Sequence, residues 1–268
     1  MKILITGADG FIGKHLQTVL SGYDLITADL KSGTDLTDIT FWDKLGSVDV
    51  IAHLGAIVGV ENFNDKNAVS SYINNRRINI NVLKYAEKYH PYVLFASSSE
   101  IYGECNNSLE SDNFEILNSP RGLYALDKII MENDLNIFGI RHSSCRLFNI
   151  IGNGQDKDKG VVPKFIYEIT HGIKSKISRD VRTFTSVIDC VNAFKVLIDN
   201  QTVGSFNISS DCTLSIEELY KKLCDKFNSQ YNYDIIEKSD ISYRKPNTDK
   251  LKSIYSIKYS IDDVIKNL

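Results

Sequence analysis

Three groups of residues are spaced in ways that chemistry can use. Gly7, Gly10 and Gly13 recur at every third position directly after the apolar run Lys2–Thr6, and His15, Leu16, Val19 and Leu20 follow at helical intervals. Strand, glycine turn and helix in that order aim free backbone N–H groups and a positive helix end at a pyrophosphate. Gly7 permits the tight turn, Gly10 lets phosphate approach the backbone, and Gly13 lets helix pack on strand. The pattern is one residue longer than the commoner G-x-G-x-x-G, so a glycine turn without a ligand stays open as an alternative. Tyr124 and Lys128 form the second group, four residues apart and therefore on one face of a helix. A tyrosine serves as general base only if its pKa falls from about 10 toward neutrality, and a nearby ammonium pushes it that way. The third group is Ser98-Ser99-Glu100, which follows an apolar run and offers hydroxyls to relay a proton and a carboxylate to accept one. A lone Tyr-x-x-x-Lys is more often an ordinary surface pair. Here it follows a strand whose end faces the glycine turn, and several weak signals agree.

These groups need elements to position them. After Lys2–Thr6, residues 24–30 read as a second strand that carries Asp29, 16 residues beyond Gly13. A carboxylate there hydrogen-bonds ribose hydroxyls and repels a 2′-phosphate, favouring NAD over NADP; a solvated strand-end aspartate is the alternative. Asp35-Leu36-Thr37-Asp38 leads into a helix with Asp38 as N-cap and Phe41, Trp42 and Leu45 facing inward. Residues 48–54 form the next strand and run into Gly55-Ala56; its His53 reads as a packing and hydrogen-bonding residue, not a base. A helix over 69–89 carries Ile78, Val82, Tyr85 and Ala86 at helical spacing, with Asn79 among them, and 92–96 is a fourth strand. Such alternation predicts an α/β fold with a doubly wound parallel sheet, whose strand carboxyl ends form the ligand crevice. Polar residues 104–119 read as a loop over that crevice, 120–138 as the helix of Tyr124 and Lys128, and 144–151 as a strand. Beyond it the rhythm loosens, with helices expected over 161–172, 190–200, 215–227 and 260–268 and a strand over 204–209. The domain expectation is a nucleotide-binding Rossmann domain over 1–150, with 185–203 packing back onto it, and a small α/β substrate lobe from 151–184 and 204–268.

Composition narrows the partners. A charged fraction of 24% and a formal net charge of −3 with no basic run disfavour nucleic acid or an anionic membrane. No apolar stretch approaches the roughly 20 residues that span a bilayer, and because the first residues read as a strand no signal peptide is expected. Five scattered cysteines without a Cys-x-x-Cys, and five histidines without ligand spacing, suggest reduced thiols, a cytoplasmic setting and no metal.

Taken in order, Gly7-x-x-Gly10-x-x-Gly13, Asp29, Asp35-Leu36, Ser98, Tyr124-x-x-x-Lys128, Arg146-Leu-Phe-Asn149 and Arg182 resemble the extended short-chain dehydrogenase/reductases. Within them the chain is similar to the NAD-dependent nucleotide-sugar epimerases and dehydratases. The resemblance implies a Rossmann domain that holds NAD and a smaller lobe that grips a nucleoside-diphosphate sugar. It also implies a homodimer paired through the Tyr124–Lys128 helix and the 69–89 helix. By position, Gly7, Gly10, Phe11, Ile12 and Gly13 would face the NAD pyrophosphate, Asp29 the ribose, and Asp35 and Leu36 the adenine. Leu54, Gly55, Ala56 and Asn79 would lie along the dinucleotide, which Tyr124 and Lys128 also meet. Ser98 matches the catalytic Ser/Thr, with Ser99 beside it at the substrate. Asn149 resembles the asparagine that meets the substrate's phosphates, Arg182 a diphosphate-binding arginine, and Arg244 a second one or else a surface arginine. Bidentate guanidinium contacts suit a diphosphate better than lysine would.

The implied mechanism has Tyr124 remove a sugar hydroxyl proton through Ser98 while hydride leaves C4. Epimerisation, returning hydride to the other face of the keto-sugar, is the expected outcome. Dehydration or decarboxylation competes, because Ser98-Ser99-Glu100 resembles the Thr-Ser-Glu or Thr-Asp-Glu triplets of enzymes doing that chemistry, and dehydration needs a base near C5. Glu100 is that base or a solvated loop residue. Against dehydration, the chain is short and carries serines where threonine and often aspartate are usual. A net dehydrogenase or keto-sugar reductase is a third option, and a silent NAD-binding sensor or structural subunit a fourth, disfavoured by intact Ser98, Tyr124 and Lys128.

Overall fold

Ile3, Leu4 and Ile5 have no solvent exposure, as an unbroken apolar run requires when both faces of a parallel strand are covered. The computed structural model describes residues 1–63, 66–111, 114, 120–156, 159–236 and 243–268. In chain order the first elements are β1 (Lys2–Thr6), α1 (Phe11–Val19), β2 (Asp24–Ala28), α2 (Ile39–Lys44) and β3 (Val50–His53). They are followed by α3 (Ala68–Tyr89), β4 (Tyr92–Ser98), β5 (Cys105–Ser108), α4 (Pro120–Ile137) and β6 (His142–Leu147). The central six-stranded sheet runs Gly204–Ile208, β6, β4, β3, β1, β2. The β1–β2, β1–β3, β3–β4 and β4–β6 pairs are parallel, and the register puts Thr6 beside both Ala28 and His53, and His53 beside Phe95. Thr6, His53 and Ser98 therefore close their strands at the same, carboxyl end of the sheet. Leu4, Ala28, Trp42, Ile51, Val82, Val93, Met131 and Leu135 share one apolar core.

Two compact units divide the chain. The first comprises Met1–Gly103, Asn113–Leu147 and Val191–Phe206; the second comprises Glu104–Asp112, Phe148–Cys190 and Asn207–Leu268. In the second, a four-stranded sheet runs Thr213–Ser215, Val181–Thr183, Tyr243–Pro246, β5. Helices Val161–Thr170, Ile216–Lys226 and Ile261–Lys266 pack their apolar faces together through Phe165, Leu219, Tyr220, Leu223 and Ile265. The last two start on capping boxes, Ser215 with Glu218 and Ser260 with Asp263, which satisfy otherwise orphaned N–H groups.

Several sequence expectations shift. Polar residues 104–119 read as loop, but Cys105–Ser108 is a strand, paired in parallel with Tyr243–Pro246 in the second unit; 112–113 and 115–119 lie outside the described residues. The second strand stops at Ala28, because Asp29 turns to cap a short 3-10 helix over Leu30–Ser32. The strand expected over 144–151 breaks after Leu147, where Asn149 takes a left-handed φ of 36° before Ile150–Ile151 resumes. Asp38 caps α2 by accepting from Thr40 N–H. All five cysteines are free thiols. Among the described residues no helix is long and apolar enough to cross a membrane.

Candidate active site

The glycine turn is dictated by contact. Gly7 has φ +69°, and a Cβ there would stand 2.8 Å from Gly55 N and Leu54 C. At Gly13 a Cβ would be 2.2 Å from Gly7 O, so α1 seats directly on the turn. Gly10 is the N-cap of α1 and supplies no side-chain cap, which leaves the first-turn N–H groups at Phe11, Ile12 and Gly13 and the positive helix end for a ligand. Asp29 is aimed at the same turn: Oδ2 accepts from Asp9 N–H at 3.0 Å and Oδ1 from Lys31 N–H at 2.9 Å. Gly55 is fixed in turn by Leu36 Cδ1 and Thr6 Oγ1, which a Cβ would meet at 2.7 and 3.0 Å, with Leu54 and Ala56 half-buried on either side. A cradle that any Cβ would fill, an uncapped helix start and an oriented carboxylate fit a dinucleotide. Asp35 is exposed and closes a local turn on Thr37. The Leu36 side chain goes into the core, and its carbonyl accepts from Trp42 Nε1 and Asn81 Nδ2. Leu36 is therefore a core residue, and of the pair expected at an adenine only Asp35 is exposed.

A buried polar chain runs from the turn to α4. Gly55 N–H donates to Thr6 Oγ1 at 3.0 Å, Thr6 Oγ1 meets His53 Nδ1 at 2.8 Å, and His53 Nε2 meets Asn79 Oδ1 at 3.0 Å. Asn79 Nδ2 then donates to Asp127 Oδ1 at 3.2 Å, and Asn75 Nδ2 to Asp127 Oδ2 at 3.3 Å. The amide oxygen of Asn79 accepts only, so His53 carries its proton on Nε2 and accepts a hydrogen bond from the Thr6 hydroxyl at Nδ1. Burial holds the imidazole down to about 4, against the Asn79 hydrogen bond and aided by Lys128, so His53 is a neutral connector. The Asn79 side chain is committed to this chain, not pointed at a cofactor. Burial raises the Asp127 carboxyl, opposed by Lys128 and Arg76.

Three ties fasten α4 to the end of β4 and to the turn that follows it. Lys128 Nζ donates to Ala96 O at 3.1 Å, Ser97 Oγ to Glu132 Oε1 at 2.5 Å, and Arg121 Nη1 to both Glu100 oxygens at 2.7 and 2.8 Å. Ser98, buried at the strand end, accepts from Glu100 N–H at 3.2 Å and so caps the 3-10 turn Ser99–Tyr102; Ser99 is buried as well. Tyr124 packs on Phe63 with ring centroids 5.4 Å apart, and Lys128 Nζ lies 5.7 Å from the Tyr124 ring centroid. Burial lowers the Lys128 ammonium from its ordinary range, while Asp127 and Glu132 work to keep it charged. Arg121, Asp127 and Glu132 are supports that the sequence reading missed. Lys128 and Glu132 fall four apart in the apolar stripe of Ala125, Ile129 and Leu135, a misplacement of charge that would have marked them.

In the second unit Arg182 and Arg244 are register partners on neighbouring strands, both buried. Arg182 pairs with Asp180 at 3.3 Å. Asn149, exposed, donates to Thr183 O at 2.8 Å.

A family model described as the NAD dependent epimerase/dehydratase family matches residues 3–209. A UDP-N-acetyl-alpha-D-glucosaminuronate decarboxylase of Bacillus cytotoxicus is 29% identical over 296 positions, taking in 94% of this chain and 91% of that protein. Among solved structures, the UDP-glucose 4-epimerase of Thermus thermophilus, in complex with NAD, has a TM-score of 0.89 at 20% identity, over 100% of this chain and 97% of that one. A dTDP-glucose 4,6-dehydratase of Streptomyces venezuelae, with NAD and TYD bound, has a TM-score of 0.87 at 20% identity, over 99% and 95%. Both structures share this fold.

Proposed function

The chain belongs to the NAD-dependent epimerase/dehydratase family, and from that premise we propose that it oxidises C4 of a nucleoside-diphosphate sugar and re-reduces the transient ketone, with epimerisation the net result. NAD, when bound, supplies the hydride acceptor and then the donor. The turn Gly7–Gly13, with Phe11 and Ile12, would hold its pyrophosphate and Asp29 its ribose. Ser98 Oγ, which accepts from Glu100 N–H, has its own proton to give. It receives the proton of the sugar hydroxyl and passes its own to Tyr124, whose negative charge Lys128 offsets. In the second unit Arg182 and Arg244 would meet the diphosphate, with Asn149 at the phosphates.

The ties from α4 carry this reading, because they fasten the helix that bears Tyr124 and Lys128 to the strand that ends in Ser98 and to the turn after it. Epimerisation leads because dehydration asks for a base at C5, and Glu100, the residue proposed for that task, already has both oxygens on Arg121. Decarboxylation is the second reading, favoured by Ser98-Ser99-Glu100 and by the decarboxylase relative. A 4-keto uronate loses carbon dioxide as the C5–carboxyl electron pair moves toward the ketone, and a proton then returns to C5. Pairing of two chains through α3 and α4 belongs to the same proposal; α3 leaves Val69, Ile73 and Ile80 exposed.

Incubating the NAD-loaded protein with nucleotide sugars, followed by chromatography and mass spectrometry, tests this. Epimerisation gives a new sugar of unchanged mass, decarboxylation loses carbon dioxide, and dehydration loses water. Tyr124→Phe should cut turnover by about 10²–10⁴-fold with NAD binding retained. Unimpaired turnover in that variant would end the proposed role of Tyr124.

A further inference from the structure

Arg121 stands one helical turn before Tyr124, and its guanidinium is only partly used. Arg121 reaches both Glu100 oxygens with Nη1, with 25% of the Arg121 side chain and 14% of the Glu100 side chain exposed. Nε–H belongs to the side-on edge with which arginine grips a carboxylate as a fork. That Nε is buried and has no hydrogen-bond partner among the described residues. A buried donor without a partner is costly, and the geometry accounts for one if a second acceptor arrives with the substrate. The location is fixed by the residues around it. Glu100 N–H bonds Ser98 Oγ, so Arg121 is anchored to the turn that begins at Ser98, on the helix that carries Tyr124.

We propose that Arg121 is a specificity-determining residue that takes a carboxylate on the sugar ring, making the substrate a nucleoside-diphosphate hexuronate and not a neutral hexose. The inference rests on the C4-oxidation reading above. If Ser98 and Tyr124 hold the C4 hydroxyl, the carboxyl carbon on C5 is two bonds from the reacting carbon, within the neighbourhood that Arg121 serves. A hydroxymethyl group there would bring no charge to the fork. Glu100 is then the counter-ion that keeps the guanidinium placed before substrate binds.

Two probes test this on the NAD-loaded protein: UDP-glucuronate and UDP-glucose, with binding, kcat and KM measured for each. The variants are Arg121→Gln and the double variant Arg121→Gln/Glu100→Gln, which leaves no carboxylate stranded. The wild type should favour the acidic probe at least about tenfold in kcat/KM. Both variants should lose that preference, mainly through an increase of about 10–100-fold in the KM for UDP-glucuronate. Equal kcat/KM for the two probes in the wild type, turnover of UDP-glucose alone, or equal weakening of both probes in the variants would overturn the role of Arg121 and leave the C4-oxidation reading standing. If the wild type neither binds nor converts either probe but converts a neutral nucleotide sugar, the role of Arg121 falls; if it converts no nucleotide sugar, the C4-oxidation reading falls as well.

Discussion

Acidification from pH 7.5 to 4.5 should remove about 2.5 kcal/mol of stability through His53 alone. The ring is 2% exposed and lies between Thr6 and Asn79, and its ordinary value of 6.5 is lowered to about 4, chiefly by burial. In the unfolded chain the imidazole takes up its proton near 6.5; in the folded chain it resists until about 4. The stabilisation is therefore complete above 6.5 and is lost as pH falls through 4. At pH 4.5 this difference in proton uptake shifts the unfolding equilibrium about 80-fold, which is about 2.5 kcal/mol. Asp127 works in the other sense, since its carboxyl is raised by burial and its contribution fades as pH rises; it is common to wild type and variant. The assay is urea unfolding followed by the fluorescence of Trp42, the one tryptophan, which sits in the core of the first unit. His53→Gln should begin less stable at pH 7.5, having lost hydrogen bonds, and the gap to wild type should shrink by about 2.5 kcal/mol at pH 4.5. Parallel stability curves, or an imidazole resonance of His53 titrating near 6.5, would refute the reasoning.

Two further perturbations follow from contact and charge. Gly13→Ala drives a Cβ to 2.2 Å from Gly7 O, so the turn must shift, at a cost of about 1–3 kcal/mol. Calorimetric titration with NAD should show binding weakened at least about tenfold, whereas Gly22→Ala, with nothing within 4 Å, should bind as wild type; equal binding by both variants would remove Gly13 from the cradle. Glu132→Ala strands the Arg146 guanidinium, paired at 2.7 Å with both side chains 3% exposed, and should cost about 3–5 kcal/mol in the same Trp42 unfolding curves. A loss under about 1 kcal/mol would show that the pair does not support α4.

The first half of the chain was legible because local rules and the fold agree there. The run of Ile3, Leu4 and Ile5, the three glycines and the Asp38 cap each act over a few residues, and each is found where periodicity puts it. What escaped the reading is long-range. Cys105–Ser108 is short and polar at its centre, and becomes a strand only because Tyr243–Pro246, some 140 positions away, offers it an edge. Arg244 illustrates the same limit. The sequence left it between a diphosphate ligand and a surface arginine, and its burial beside Arg182 follows from a strand pairing that no window of neighbouring residues contains. At the site, residue types named Ser98, Tyr124 and Lys128, but the groups holding them were hidden, since a charge on a helix reads as solvated until its partners are known. Leu36 and Asn79 show the converse: a place in a motif marks the backbone, and packing decided that their side chains serve the core and the polar chain.

The supports around Lys128 form a system whose logic is charge balance. A single ammonium in that buried position would be driven toward neutrality by burial alone. Asp127 beside it and Glu132 one turn on oppose that drift, yet each would be costly by itself. Glu132 is answered by Arg146 and Ser97. Asp127 is answered by the amides of Asn75 and Asn79, and through Asn79 by a histidine kept neutral. Counting Lys128 and Arg146 against Asp127 and Glu132, the buried charges cancel, and the carboxylate oxygens meet donors supplied by several elements of the first unit. The proposed role for Lys128 therefore depends less on its own place in Tyr-x-x-x-Lys than on residues drawn from β4, α3 and β6. Removing any one member exposes the charge of another, so substitutions in this group should be non-additive, as expected where one network shares its partners.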